Sequence, residues 1–365
     1  MDPIFSHLLF LIITLSLFAG RGNAEKARAL FVFGDSYADT GNRNPYNQSV
    51  NQPWKQPYGL TWPGYPAGRF SSGKIQTDFW GDILGLPVPI AYELLKSHEC
   101  KATAKKIRQG VNFAVGGSGV YQAFGFITVP QQVKQFKKLI GRSHGFDSHK
   151  LSRSVVLISV AGNDYGAFLS RSNGSIEGLI DLVKPVVSGI VDAIKDLYES
   201  GLRNFAVSNI YSLGCRPQIG KTFCNSIYNE IAALHTKLLW ESIEWLRSDL
   251  KELSIIISDL SSAITHIFSN PMQYGFVDLF APCCTAKGGV GLCGEVDQVG
   301  RPLYEVCSEV DEKFYWDYIH PTQQGWKTIM SLYSNAVLLE DNTTMSFIEG
   351  APNIIEWLNS LGFLG

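Results

Sequence analysis

A serine, an acid and an imidazole in this chain have the types and spacing that acyl transfer requires. Ser36 follows the apolar run Ala29 to Phe33 and a glycine, in Phe33-Gly34-Asp35-Ser36. Near the C-terminus, Asp317-Tyr318-Ile319-His320-Pro321 sets the acid three positions before the imidazole. A serine hydroxyl is a weak nucleophile and needs an adjacent base. Histidine suits that task by its ordinary pKa. Its second nitrogen then needs a partner that fixes tautomer and orientation, and Asp317, in a turn leading into a helix, can curl back to supply it. The tetrahedral oxyanion needs convergent donors. The Gly116 N–H, the Asn163 side-chain amide and the Ser36 N–H would provide three. Each residue also has a plainer reading. Asp35 or Ser36 would cap a helix, Gly162-Asn163-Asp164 is a natural turn, Gly116 would serve a tight turn, and His320 would enter a helix bonded only to backbone. The combination favours chemistry. His98, His144 and His149 lie in polar stretches, while His235 and His266 lie in helical ones with no acid in a comparable turn.

These residues can meet only if the strands before them run side by side. Five apolar runs read as strands: Ala29–Phe33, Val111–Ala114, Val155–Val160, Asn204–Ser208 and Leu253–Ser258. Between and after them, helical spacing predicts helices over 75–84, 127–140, 176–198, 224–250, 260–268 and 321–339. Alternating strands and helices imply a parallel sheet covered on both faces, in a single domain over 25–365. In such a sheet the carboxyl ends of all strands share one edge, where open α/β sheets build their sites. The stretch Leu86 to Ile90, broken by prolines, reads as a connector. Asn42 to Gly73, rich in Gly, Pro and aromatics, reads as a long loop whose aromatics either wall a cleft or pack onto the body. Asn270 to Glu312 reads as a cysteine-stapled surface insertion. The letters G-x-G-x-x-G at 289–294 follow no strand and open no helix, so they are rejected as a nucleotide site. No G-x-S-x-G elbow occurs, which disfavours an ordinary α/β-hydrolase.

Composition points to export. With 365 residues, 45% hydrophobic and 18% charged, at a formal net charge of −2, the chain has ordinary globular balance and no electrostatic reason to bind nucleic acid or an anionic membrane. Residues 1–24 read as a signal peptide: an apolar run from Leu8 to Ala19, too short to span a bilayer, ends in small residues at Gly22-Asn23-Ala24. No later segment reads as a transmembrane anchor. The seven cysteines lack the spacing of paired zinc ligands and read as disulfide partners. Cys215 and Cys224 should close a small loop. Cys283 and Cys284 should pair outward, with Cys293 and Cys307 in the same stapled segment, leaving Cys100 as the free thiol. Asn47, Asn173 and Asn342 begin glycosylation sequons.

The blocks Phe33-Gly34-Asp35-Ser36-Tyr37-Ala38-Asp39-Thr40-Gly41-Asn42, Asn112-Phe113-Ala114-Val115-Gly116-Gly117-Ser118-Gly119, Gly162-Asn163-Asp164 and Asp317-x-x-His320-Pro321-Thr322 together resemble the plant GDSL esterase/lipase family of the SGNH hydrolase superfamily. The resemblance implies a three-layer α/β/α fold with a flavodoxin-like parallel sheet. It also implies secretion and hydrolysis of small-molecule or lipid carboxylic esters without metal or cofactor. It assigns Ser36 as nucleophile, His320 as base, Asp317 as its orienting partner, and Ser36, Gly116 and Asn163 as oxyanion donors. Tyr37 departs from the family's leucine, a change that bears on the cleft wall. Two alternatives stay open: an acyltransferase using the same triad, and a non-catalytic glycoprotein that binds glycan or lipid in the same cleft.

Overall fold

In the computed structural model, described over residues 26–43, 52–96, 104–121, 123–142, 145–160, 162–289, 292–334 and 353–364, six parallel strands form one sheet. They are β1 (Leu30–Gly34), β2 (Ile90–Ala91), β3 (Val111–Asn112), β4 (Val155–Ser159), β5 (Asn204–Ser208) and β6 (Ser254–Ser258), in the order β2-β3-β1-β4-β5-β6. The sequence predicts only five. The sixth, β2, is two residues long and follows a proline-broken stretch with no readable alternation. It pairs with β3 through Ile90–Val111 and Ala91–Asn112.

The central strands β1, β4 and β5 are buried at every position. That burial explains why they read as unbroken apolar runs rather than alternating ones. One face of the sheet carries α2 (Val129–Ile140), α4 (Val183–Glu199) and α5 (Ser226–Asp249), which pack in that order. The other carries α1 (Gln76–Leu84), α6 (Leu260–Ser269), α7 (Gln323–Ser334) and α8 (Ile354–Ser360), each of the others touching α7. This is the three-layer α/β/α arrangement expected from the sequence. α3 (Gly162–Arg171) follows β4 after two residues. The helix predicted over 176–198 is shorter, because 180–182 form a 3₁₀ turn before α4 begins at Val183.

The chain crosses from one side of β1 to the other: β3 is its neighbour on one flank and β4 on the other. Clefts in open α/β sheets lie beyond the carboxyl end of such a strand, and Ser36 sits two residues after β1 ends.

The cysteine-rich insertion is more ordered than its composition suggests. It holds an antiparallel pair, β7 (Cys284–Ala286) and β8 (Tyr304–Val306). Disulfides Cys283–Cys307 and Cys284–Cys293 staple it, and Cys215–Cys224 closes the small loop foreseen. The leader, Asn47, Cys100 and Asn342 lie outside the described residues. Asn173 sits exposed in the turn after α3.

Candidate active site

The serine is presented by a turn that backbone geometry alone makes tight. Gly34 has φ +140°, and a Cβ there would meet the Ser159 carbonyl oxygen at 1.9 Å. Only glycine can end β1 this close to β4. Gln132 from α2 clamps the same residue, accepting from its N–H and donating to its carbonyl, both at 2.8 Å. Beyond Ser36, Asp39 acts as a buried hub. Its carboxylate accepts the backbone N–H groups of Gly41, Asn42, Arg43 and Gly116. Burial pushes this carboxyl up to about 6, against the pull of those four donors. Asn42 and Asn112 extend the network. The Asn42 amide donates to the Asn112 and Ala114 carbonyls, and the Asn112 amide donates to the Ala38 carbonyl and the Thr40 hydroxyl.

The imidazole arrives from the other end of the chain. His320 Nε2 lies 2.8 Å from Ser36 Oγ. Its Nδ1 faces Asp317, 2.8 Å from Oδ2 and 2.9 Å from Oδ1. A carboxylate only accepts, so Nδ1 carries the proton and Nε2 is left to accept the serine's. Asp317 Oδ1 also takes the backbone N–H groups of Ile319 and His320, each at 2.8 Å. Burial works to raise the Asp317 pKa, but the imidazole beside it and these N–H bonds hold it below the ordinary carboxylate value.

The long loop of the sequence analysis wraps this turn. Tyr58, buried, donates its hydroxyl to Asp317 Oδ2 at 2.8 Å. The Phe70 ring lies 4.9 Å from the His320 ring, and Ser71 Oγ donates to the Pro321 carbonyl at 2.9 Å. A buried Arg69–Asp78 ion pair at 2.7 Å ties the loop to α1. So these aromatics both wall the cleft and brace the base. Tyr37 also braces it, because its hydroxyl donates to the Ile319 carbonyl at 2.9 Å while its ring lines the cavity.

Donor placement corrects one expectation and refines another. The Gly116 N–H is committed to Asp39 Oδ2 at 2.8 Å, and Gly116 does not line the cavity. The next residue does: Gly117, at φ +89°, faces the hollow. Two adjacent glycines leave no sequence signal for which one faces inward. Asn163 lines the cavity too, but from the first turn of α3 rather than from a loop. One of its Nδ2 hydrogens goes to the Ser118 carbonyl at 2.8 Å, which orients the amide and leaves the second hydrogen uncommitted.

The cavity over Ser36 and His320 measures about 630 Å³, a size usual for small-molecule sites. Phe70, Phe124, Phe126 and Tyr211 supply apolar wall, and Arg43 and Arg216 supply charge. Sequence reading missed Tyr58, Arg43 and Arg216. Their only signals were membership of the long loop, for Tyr58 and Arg43, and of the cysteine-closed loop, for Arg216. Among the described residues, no group of three His, Cys, Asp or Glu side chains is placed to hold a metal ion.

With a serine, imidazole and carboxylate in line at the rim of a parallel sheet, relatives become informative. Residues 30–332 match the GDSL-like Lipase/Acylhydrolase family. The chain belongs to that family. A GDSL esterase/lipase of Arabidopsis thaliana is 35% identical over 331 residues, covering 88% of each chain. A second from the same plant is 32% identical over 341 residues, covering 90% of this chain and 94% of its own. A GDSL lipase of Tanacetum cinerariifolium is 30% identical over 366 residues, covering 95% and 94%. Membership makes the protein an enzyme of ester-bond hydrolysis, as the sequence blocks implied.

Proposed function

We propose that the protein is a secreted serine esterase working through an acyl-enzyme on Ser36. The observation that carries this reading is the 2.8 Å approach of Ser36 Oγ to His320 Nε2, with Asp317 on the far nitrogen. Ser36 Oγ attacks the ester carbonyl carbon as Nε2 takes its proton, and the carbonyl electron pair moves onto oxygen. The resulting oxyanion is met by the Ser36 N–H, the free Asn163 amide hydrogen and the Gly117 N–H, the last in place of Gly116. Collapse expels the alcohol, which leaves with the proton held on Nε2. Water then enters, gives a proton to His320 and releases the acid by the same steps in reverse. Asp317 keeps the imidazole in the required tautomer and stabilises its charged form.

Export is supported by the apolar leader over 1–24, the three disulfides and the exposed Asn173 sequon. In addition, no helix among the described residues is long and apolar enough to cross a membrane. The test is Ser36→Ala against short p-nitrophenyl esters, with labelling by an active-site phosphonate. Turnover should fall by about 10⁴-fold or more, with labelling at Ser36 lost and circular dichroism unchanged. Undiminished turnover in that variant would remove Ser36 from the mechanism.

A further inference from the structure

Arg216 has no role in the mechanism above, yet it is built into the same cavity. It is 94% buried, being 6% exposed, and it lines the hollow that holds Ser36 and His320. Among the described residues, no carboxylate lies within ion-pairing distance of it. Its Nε makes one long contact, 3.5 Å, to the Leu213 carbonyl, and its Cζ lies 5.3 Å from the Tyr211 ring centroid. Its terminal nitrogens have no acceptor among the described residues, and neither is fully buried. Arg43, the other cavity cation, is engaged differently: its Nη1 donates to the Gly116 carbonyl and its Cζ sits 4.2 Å from the Phe126 ring centroid.

A buried guanidinium without a counter-charge is costly, and proteins retain one where a ligand completes it. The surrounding loop holds this one in place. Cys215, its neighbour, is bonded to Cys224, and the Arg216 carbonyl accepts the Ile219 and Gly220 N–H groups. Among the described residues, Asp35 is the one carboxylate in the cavity lining, and its Oδ1 accepts the Tyr37 N–H. A guanidinium fork matches a carboxylate in a two-point hydrogen bond. One such group matches one negative charge.

We infer that the substrate ester carries a carboxylate of its own, received by Arg216 while the ester carbonyl lies at Ser36. This deepens the esterase reading and rests on it. The aromatic wall then covers the apolar body between the two polar ends.

Two matched pairs of esters test the inference. Mono-p-nitrophenyl glutarate against p-nitrophenyl pentanoate puts the charge on the acyl side. 4-Acetoxybenzoic acid against its methyl ester puts it on the alcohol side. In one pair the acid should exceed its neutral partner in kcat/KM by about tenfold or more. Arg216→Gln should erase that ratio, Arg216→Lys should keep part of it, and melting temperatures should show that both variants fold. A neutral ester preferred in both pairs, or a ratio unchanged in Arg216→Gln, overturns the inference. Calorimetry on Ser36→Ala protein separates this from failure of the esterase reading. There one acid should bind about tenfold more tightly than its neutral partner, and Arg216→Gln should remove the difference. Binding without turnover in the wild type would count against hydrolysis alone, whereas absence of a binding difference overturns the inference itself.

Discussion

The two halves of the triad are held in different ways. Ser36 rests on backbone: a strand end that admits only glycine at position 34, a Gln132 clamp on that glycine's amide and carbonyl, and a carboxylate hub that gathers four N–H groups. His320 rests mostly on side chains from far along the sequence, with Tyr58, Phe70, Ser71 and Tyr37 reaching it or its neighbours. A sheet edge can place a nucleophile without outside help. A base carried on a surface turn cannot, so the long aromatic loop supplies the support that the sheet does not. Damage on the serine side should therefore appear first as lost folding, and damage on the histidine side as lost rate in a folded protein.

The largest effect should come from Gly34→Ala. Its Cβ would meet the Ser159 carbonyl oxygen at 1.9 Å, and neither strand can yield without breaking the sheet. We expect a loss of about 4 kcal/mol or more, read as little soluble protein or a collapsed melting temperature. A near-normal melt would break the contrast at its strongest point.

On the histidine side, Asp317→Asn should leave a folded protein with kcat down by about 10⁴-fold, because the amide can favour the wrong imidazole tautomer. It should also change the acid response. The Asp317 carboxyl is held below its ordinary value. Its contribution to stability is thus present above the usual carboxylate range and is lost as pH falls through the lowered folded value. Melting curves from pH 6 down to 3 should show a smaller acid loss in the variant than in the parent.

Tyr58→Phe should be the mildest. Removing the 2.8 Å bond to Asp317 Oδ2 takes away one of the donors that fix the carboxylate orienting His320. Activity should fall by about tenfold in a folded protein. A rate equal to the parent's would mean that Tyr58 only packs the loop.

Much of this was legible in the sequence. A serine at a strand end and a histidine 284 positions later were foreseeable as neighbours because parallel strands present all their carboxyl ends on one edge. Strands β1, β4 and β5 were readable because burial on both faces forces apolar runs. What was not legible depended on direction or partners. Gly116 and Gly117 are identical letters, yet the Gly116 N–H is bonded to Asp39 while Gly117 lines the cavity. Strand β2 exists through its pairing with β3, since two residues carry no pattern. Asn163 reads as a turn because Gly-Asn-Asp suits both a turn and the first turn of a helix. The β7–β8 pair was hidden by its cysteines, whose spacing marks bridges but not strand register.

That pair leans on the catalytic machinery. Cys283 and Cys284 donate their backbone N–H groups to the Tyr315 and Trp316 carbonyls, at 3.0 and 2.7 Å, directly ahead of Asp317. Two sulfur bridges fasten this backing. The segment carrying the acid therefore leans on a backing whose bridges form under oxidising conditions, so reduction of those two bridges should loosen the turn that holds Asp317.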